Sequence, residues 1–459
     1  MTLTPVALSE TTAPGALNAE AFSRFENALD TPTFRIAQNA ITQVTAEDVA
    51  LNRRIVFETD HSFSNVLDDW SVTNQKQTGR CWMFAGLNLL RVGAMQKMGL
   101  KSFEFSQNYT MFCDKIERAN YFLEAIIDTA DRDVDDRTVA YLLTRPISDG
   151  GQWNMFVNLV RKHGLLPKPL MPETQSSSSS GRMNSILAAK LREAAKTLRD
   201  QFAGGATREE LRAEKEQTLA VIYRILCIHL GTPPGGFAWQ WTDKDRNFHR
   251  DPERTPQQFA ETYVDLPIDD YVCLVHDPRP TSPTGRTFTV EYLGNVVEGG
   301  IVKYLNVDVG LMKELTRRSI EKGEPVWFGC DTGKQSRRDL GIWDRDLFDY
   351  GSVYDTAFGL DKAARLSYHE TAMTHAMLFT GCDIVEGLNG HGVRRWRVEN
   401  SWGEEPGKKG FFVMNDNWFD EYVFEIAVRK SELPADLQAA LDEEPIVLPA
   451  WDPMGALAH

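Results

Sequence analysis

Three residues of this sequence, Cys81, His375 and Asn400, have the types and settings that nucleophilic thiol chemistry requires. Cys81 lies in "NQKQTGRCWMF", after Gly79 and Arg80 and before an apolar run, where a helix would begin. A helix N-terminus offers partial positive charge and free N–H groups, and a neighbouring imidazolium offers a full charge. Both lower a thiol pKa, so Cys81 is expected to be a thiolate. His375 would then protonate a leaving amine while Asn400 holds the ring in orientation. A lone cysteine is more often a small buried hydrophobe. Cys113, Cys227, Cys273, Cys330 and Cys382 have no comparable company and read as packing residues.

Two elements must position these groups. "CWMFAGLNLLRVGAMQKMGL" is apolar on nearly every face and lacks proline, which predicts a buried helix starting at or just before Cys81. "HAMLFTGCDIV" and "VRRWRVEN" flank "EGLNGHG", whose Asn-Gly pair signals a β-hairpin. Folding the chain back about the middle of that loop sets His375 close to opposite Asn400, to within about two residues. Further strand-like runs, "YVCLVH", "RTFTVEYL", "PVWFGC" and "GFFVMND", make the part after about residue 265 β-rich, while 103–130 and 185–230 carry helical patterns. Five serines at 176–180 read as a solvated loop, and the helix after them could be an arm reaching a partner subunit. The expected organisation is an N-terminal extension (1–60), a helical half with an inserted arm at about 170–230 (61–264), a β-rich half (265–444) and a C-terminal tail (445–459).

Composition narrows the function. Hydrophobic residues at 42% and charged residues at 25% indicate a globular chain. A net charge of −15 opposes attraction to phosphate backbones and makes nucleic acid a poor partner. Six dispersed cysteines without CxxC fit a reducing compartment, and no run approaches the roughly 18 apolar residues of a membrane span. A soluble cytoplasmic protein is expected. "DRDVDDR" at 131–137 imitates a calcium loop, but Asp136 and Leu142 stand where glycine and glutamate are needed. No compact metal-ligand pair is present, and neither metal nor cofactor is expected.

"NQKQTGRCWMFA", "MTHAMLFTG" and "WRVENSWGE" resemble the papain superfamily of cysteine peptidases, and specifically its bleomycin hydrolase/aminopeptidase C branch. "FSQNYTMFCDKIERANYFLE", "GGQWNMFVNLVRKHGLLPK", "EPVWFGCDTGK" and "LPAWDPMGALAH" extend the resemblance over most of the chain after about residue 60. It implies a papain-like α+β fold, with a helical half carrying the nucleophile, a β-barrel-like half and large helical insertions. It assigns Cys81 as nucleophile, His375 as general acid/base and Asn400 as its orienter. Gln75 and the Cys81 backbone N–H would form the oxyanion hole. Trp402 would shield the Asn–His contact, and Gly150 and Gly151 would bind extended substrate. The branch forms a hexameric cage, with the C-terminus in the substrate cleft favouring free peptide N-termini, and with the last residue removed by self-cleavage. Ala458 and His459 would then be substrate-binding. Secreted papain-like enzymes carry a disulfide where this chain has Thr78 and Ser148, so that bridge is absent here. The resemblance thus implies a cysteine aminopeptidase acting on peptides. An amide or thiolactone hydrolase using the same thiolate, or a binding protein with a vestigial site, would share the same residues.

Overall fold

The computed structural model describes residues 14–27, 29, 31–67, 70–387 and 390–458. The chain divides into two compact units. One takes in Met1–Glu58 with Asp346–Gly359, and the other Thr59–Arg345 with Leu360–His459. In the first, short helices at Ala19–Asn27, Pro32–Ile41, Ala46–Ala50 and Arg53–Glu58 are joined by Tyr350–Tyr354, a segment distant in sequence. Backbone bonds from Asn52 to Leu347 and from Asp349 to Ala50, both 2.8 Å, tie them together. The reading of 1–60 as an extension therefore omits 346–359, which carries no sequence signal of its own.

The second unit holds the elements anticipated for the chemistry. The Cys81–Met98 helix begins at Cys81, is buried along most of its length, and ends at Gly99 in the left-handed region (φ 64°). It packs on the His375–Ile384 strand. Gln107–Asp128, capped by Ser106, runs alongside. Gly181–Ala203 and Arg208–Leu230 follow as two 23-residue helices. The first buries Met183, Leu187, Leu191, Ala194 and Leu198 at helical spacing and lies against its own chain's Gln107–Asp128 and Arg208–Leu230 helices. Its apolar stripe thus has an intramolecular partner.

Among the described residues one mixed sheet has twelve strands. At its centre lie Tyr271–Val275, Val423–Arg429, Val326–Cys330, His375–Ile384, Val393–Glu399 and Phe411–Asn415 in that spatial order. Ile446–Leu448 lies at one end, parallel to Thr287–Val290. One apolar core joins the helices to the sheet around Trp82, Trp153 and Trp327, and a second gathers Trp343, Trp396, Trp418 and Phe379. The architecture is α+β, as anticipated. No helix among the described residues is long and apolar enough to cross a membrane.

The hairpin register is Leu378 opposite Glu399 and Phe379 opposite Val398, two residues from the midpoint reading and inside its expected margin, and a bulge follows Phe379. Of the loop, Leu388 and Asn389 lie outside the described residues, so the Asn-Gly turn does too. The serine run is not a solvated loop. Gln175–Ser178 is a helical turn with a Thr174–Ser177 capping box, and Ser177 and Ser180 are buried. Serine composition signals solvation only when the hydroxyls lack protein partners. Here Ser177 donates to Glu173 (2.8 Å), Ser180 donates to Asp149, and Ser176 pairs with His229 Nδ1 (2.8 Å).

Candidate active site

Residues 73–80 lead into the Cys81–Met98 helix and are held from several sides. Gln75 exchanges bonds with Ser401, its backbone N–H donating to the Ser401 carbonyl (2.9 Å) and its Oε1 accepting the Ser401 hydroxyl (2.6 Å). Gln75 Nε2 donates to the Thr78 carbonyl (2.5 Å), and Thr78 Oγ1 donates back to the Gln75 carbonyl (2.7 Å). The loop is thereby closed on itself. Arg80, almost wholly buried, forms a two-pronged pair with Glu173 (3.1 and 2.8 Å) and donates to the Ser177 carbonyl. The serine segment thus fixes the residue before Cys81.

Asp149 is the other support. It accepts from Lys115 Nζ (2.6 Å), Asn184 (2.8 Å), Ser180 and the Gly79 N–H (3.2 Å), while its own carbonyl takes the Trp82 indole N–H (2.7 Å). Burial works against its ionisation, but the Lys115 charge and these donors outweigh that and hold the carboxyl well below its usual range. Gly150 and Gly151 follow directly. A Cβ at Gly151 would stand 2.4 Å from the Trp82 ring, so only glycine brings the backbone this close.

His375 opens its strand and pairs with Cys330 on the neighbouring one. Its Nε2 meets Asn400 Oδ1 at 2.9 Å, and the same oxygen accepts the Ser401 N–H (2.8 Å), which makes it the acceptor and places the ring proton on Nε2. Nδ1 is left for proton exchange. The Trp402 indole stacks on the imidazole, with centroids 4.9 Å apart and planes at 29°, and Arg338 covers the indole at 4.8 Å.

Cys81 is buried, at the start of the helix that packs on the strand His375 opens. Burial pushes the thiol up to about 11 despite the N–H groups of Ala376, Trp82 and Cys81 itself, and the Asp149 charge adds to the rise. Burial likewise brings His375 down to about 4, against the bond to Asn400. Desolvation thus opposes the thiolate expected from the helix end, against the pull of the local N–H groups.

The His375 shift has a stability consequence. Its folded pKa lies below the unfolded value, so its contribution is full above about pH 6.5 and is lost as pH falls towards 4. Between pH 7.5 and 5 about 2 kcal/mol should disappear. In His375→Gln the same acid step should cost about 2 kcal/mol less, as read from urea midpoints at the two pH values. An equal acid loss in both proteins would refute the assignment.

Sequence reasoning did not find Asp149, Lys115, Glu399, Asn88 and Arg91. Glu399 is fully buried and accepts Arg91 (2.8 Å), Asn88 (3.0 Å) and the Trp70 indole (2.5 Å), joining the Cys81 helix to the strand that ends just before Asn400. The acid in "WRVEN" next to Asn400 was the available signal.

The tail runs back over this unit. Asp452 takes two bonds from Arg279 (3.0 and 2.9 Å), Tyr304 donates to the Met454 carbonyl (3.2 Å), and Pro453–Ala458 is a largely buried 3-10 helix. Ala458 lies against Ser148, and His459 lies outside the described residues. All six cysteines are free thiols. Among the described residues no group of three His, Cys, Asp or Glu is arranged to hold a metal.

A model of the Peptidase C1-like family matches residues 16–455. The chain belongs to the Peptidase C1-like family. Within it, bleomycin hydrolase of Mus musculus is 43% identical over 451 residues, covering 96% of this chain and 99% of its own. Aminopeptidase C of Lactobacillus helveticus is 40% identical over 446 residues, covering 96% and 98%. The crystal structure of PepW from Lactobacillus rhamnosis superposes with a TM-score of 0.94 at 43% identity, over 96% of this chain and 99% of that one. The resemblance to the bleomycin hydrolase/aminopeptidase C branch is therefore borne out across nearly the whole family member.

Proposed function

We propose that Cys81, His375 and Asn400 are the catalytic residues of this chain, a cysteine aminopeptidase of the bleomycin hydrolase type. The observation that carries the reading is His375 held through Nε2 by Asn400, with Nδ1 free and the Cys81 helix packed on the strand that His375 opens. As Sγ attacks the first peptide carbonyl, its proton passes to His375 Nδ1, so neither buried charge forms alone. The new oxyanion is met by the Cys81 N–H and the Gln75 amide. Collapse breaks the C–N bond, and the His375 proton leaves on the departing amine. Water then attacks the thioester, giving its proton to His375 and releasing the amino acid and the thiol.

Gly150 and Gly151 offer a backbone edge to extended substrate, Trp402 keeps water from the His–Asn bond, and the tail closes the cleft beyond one residue. A carboxylate there would pair with the substrate's α-ammonium, and removal of His459 would leave Ala458 to supply it. Peptides are the substrates, the assembly is a homohexamer, and the compartment is the cytoplasm, which the six free thiols favour. Light scattering should then give a mass near six times 51.9 kDa.

A peptide and its N-acetylated form, each with reduced enzyme before and after iodoacetamide, test the reading by mass spectrometry. Stepwise loss from the free peptide only, stopped by alkylation at Cys81, is expected. Deleting 455–459 should open the blocked peptide to cleavage. Cleavage of the blocked peptide by the intact chain would overturn the role of the tail.

A further inference from the structure

We infer that Arg118 and Ser148 form a clamp on the Ala458 carbonyl that fixes where the cleft is closed, which makes them specificity-determining residues. The inference rests on the tail reading above. The Arg118 guanidinium serves three acceptors from one buried position. Its Nε donates to Asp114 (2.7 Å), one terminal nitrogen to the Gly150 carbonyl, and the other to the Ala458 carbonyl (3.5 Å). Asp114 is itself held by Asn295 (3.1 Å), so the fork cannot swing freely. The Ser148 hydroxyl donates to the same Ala458 oxygen at 2.5 Å.

One tail carbonyl thus accepts from two elements, the Gln107–Asp128 helix and the segment entering Gly150–Gly151. The substrate edge and the blocking element share one guanidinium, so the spacing between them is set by a rigid planar group. Hydrolysis of the Ala458–His459 bond, with water added across it, would turn the accepted carbonyl into a carboxylate and the contact into a charge-assisted one. Ser148 stands where secreted relatives have a disulfide cysteine. That position here ties the cleft wall to the tail instead of to the nucleophile loop, and Thr78, its former partner position, braces Gln75.

Asp452 and Met454 are anchored separately, by Arg279 and Tyr304, so loss of the clamp should free only the last residues. The test uses the full chain with Ser148→Ala, Ser148→Thr and Arg118→Met, and the truncation lacking 455–459. For each, kcat/KM on a free peptide and on its N-acetylated form is measured, with the rate of Cys81 alkylation. The ratio of free to blocked substrate should fall about tenfold or more in Ser148→Ala and Arg118→Met, with alkylation unchanged and Ser148→Thr restoring the ratio. A wild-type ratio in both variants, with the truncation losing it, overturns the clamp and leaves the tail reading intact. A wild-type ratio in the truncation overturns both. A parallel fall in alkylation would place the effect on Cys81 and overturn the assignment. Should Arg118→Met fail to fold, Ser148→Ala, which removes one oxygen, decides.

Discussion

Replacing Cys81 with alanine is expected to lower kcat/KM on free peptides by about 10⁴-fold or more and to leave the fold intact. The sulfur is the group to which the substrate carbonyl must bond, and Cys81 is the cysteine that opens the helix packed on the strand of His375. Structurally its loss is small. Cys81 occupies the first position of its helix, its weak bond to the Gly79 carbonyl is 3.9 Å long, and alanine is a better helix former. Stability should change by about 1 kcal/mol. Turnover and thermal unfolding measured on one preparation check both halves. Peptide hydrolysis near the wild-type rate in a folded variant would remove Cys81 as the nucleophile.

The second large effect is on stability. Glu399→Ala is expected to cost about 3–5 kcal/mol, because it strands the Arg91 guanidinium in the core beside an unpaired Trp70 indole and leaves the Asn88 amide with its Thr73 bond alone. Burial pushes the Glu399 pKa up despite those donors, so the pair exists at a desolvation cost. That predicts a further outcome. Replacing both members with methionine should be far less harmful than removing either alone, since no unpaired charge remains. Because Asn400 follows Glu399, the single variant should also lose activity beyond its loss of folded protein. Urea unfolding of the two singles and the double completes a cycle, and an additive result would show that the pair is not coupled.

What the sequence made legible were groups whose role is local. The Cys81 helix could be read because an all-round apolar run without proline leaves few alternatives, and it starts at Cys81 as expected. The hairpin could be read from strand texture, and its register to within the two residues allowed, because the position at which a loop turns leaves little mark in a pattern of alternation. The setting of the thiol was only half legible. A helix end is visible in sequence, whereas burial of Cys81 and His375 depends on what the rest of the chain places over them. The serines at 176–180 and Asp149 were illegible in the same sense, since their partners Glu173, His229, Lys115 and Gly79 are brought in by the fold.

The bonds that complete the site join residues 245 to 326 positions apart. Gln75 meets Ser401, Arg91 meets Glu399, and the Trp327 indole donates to the Trp82 carbonyl at 3.1 Å. Contacts of such sequence separation close large loops and form late in folding. Helices near Cys81 can therefore regain their dichroism on refolding while the oxyanion loop and the His–Asn pair are still unassembled. Recovery of hydrolysis should trail recovery of helix signal, so a chain in transit to its native state carries its thiol without the means to use it.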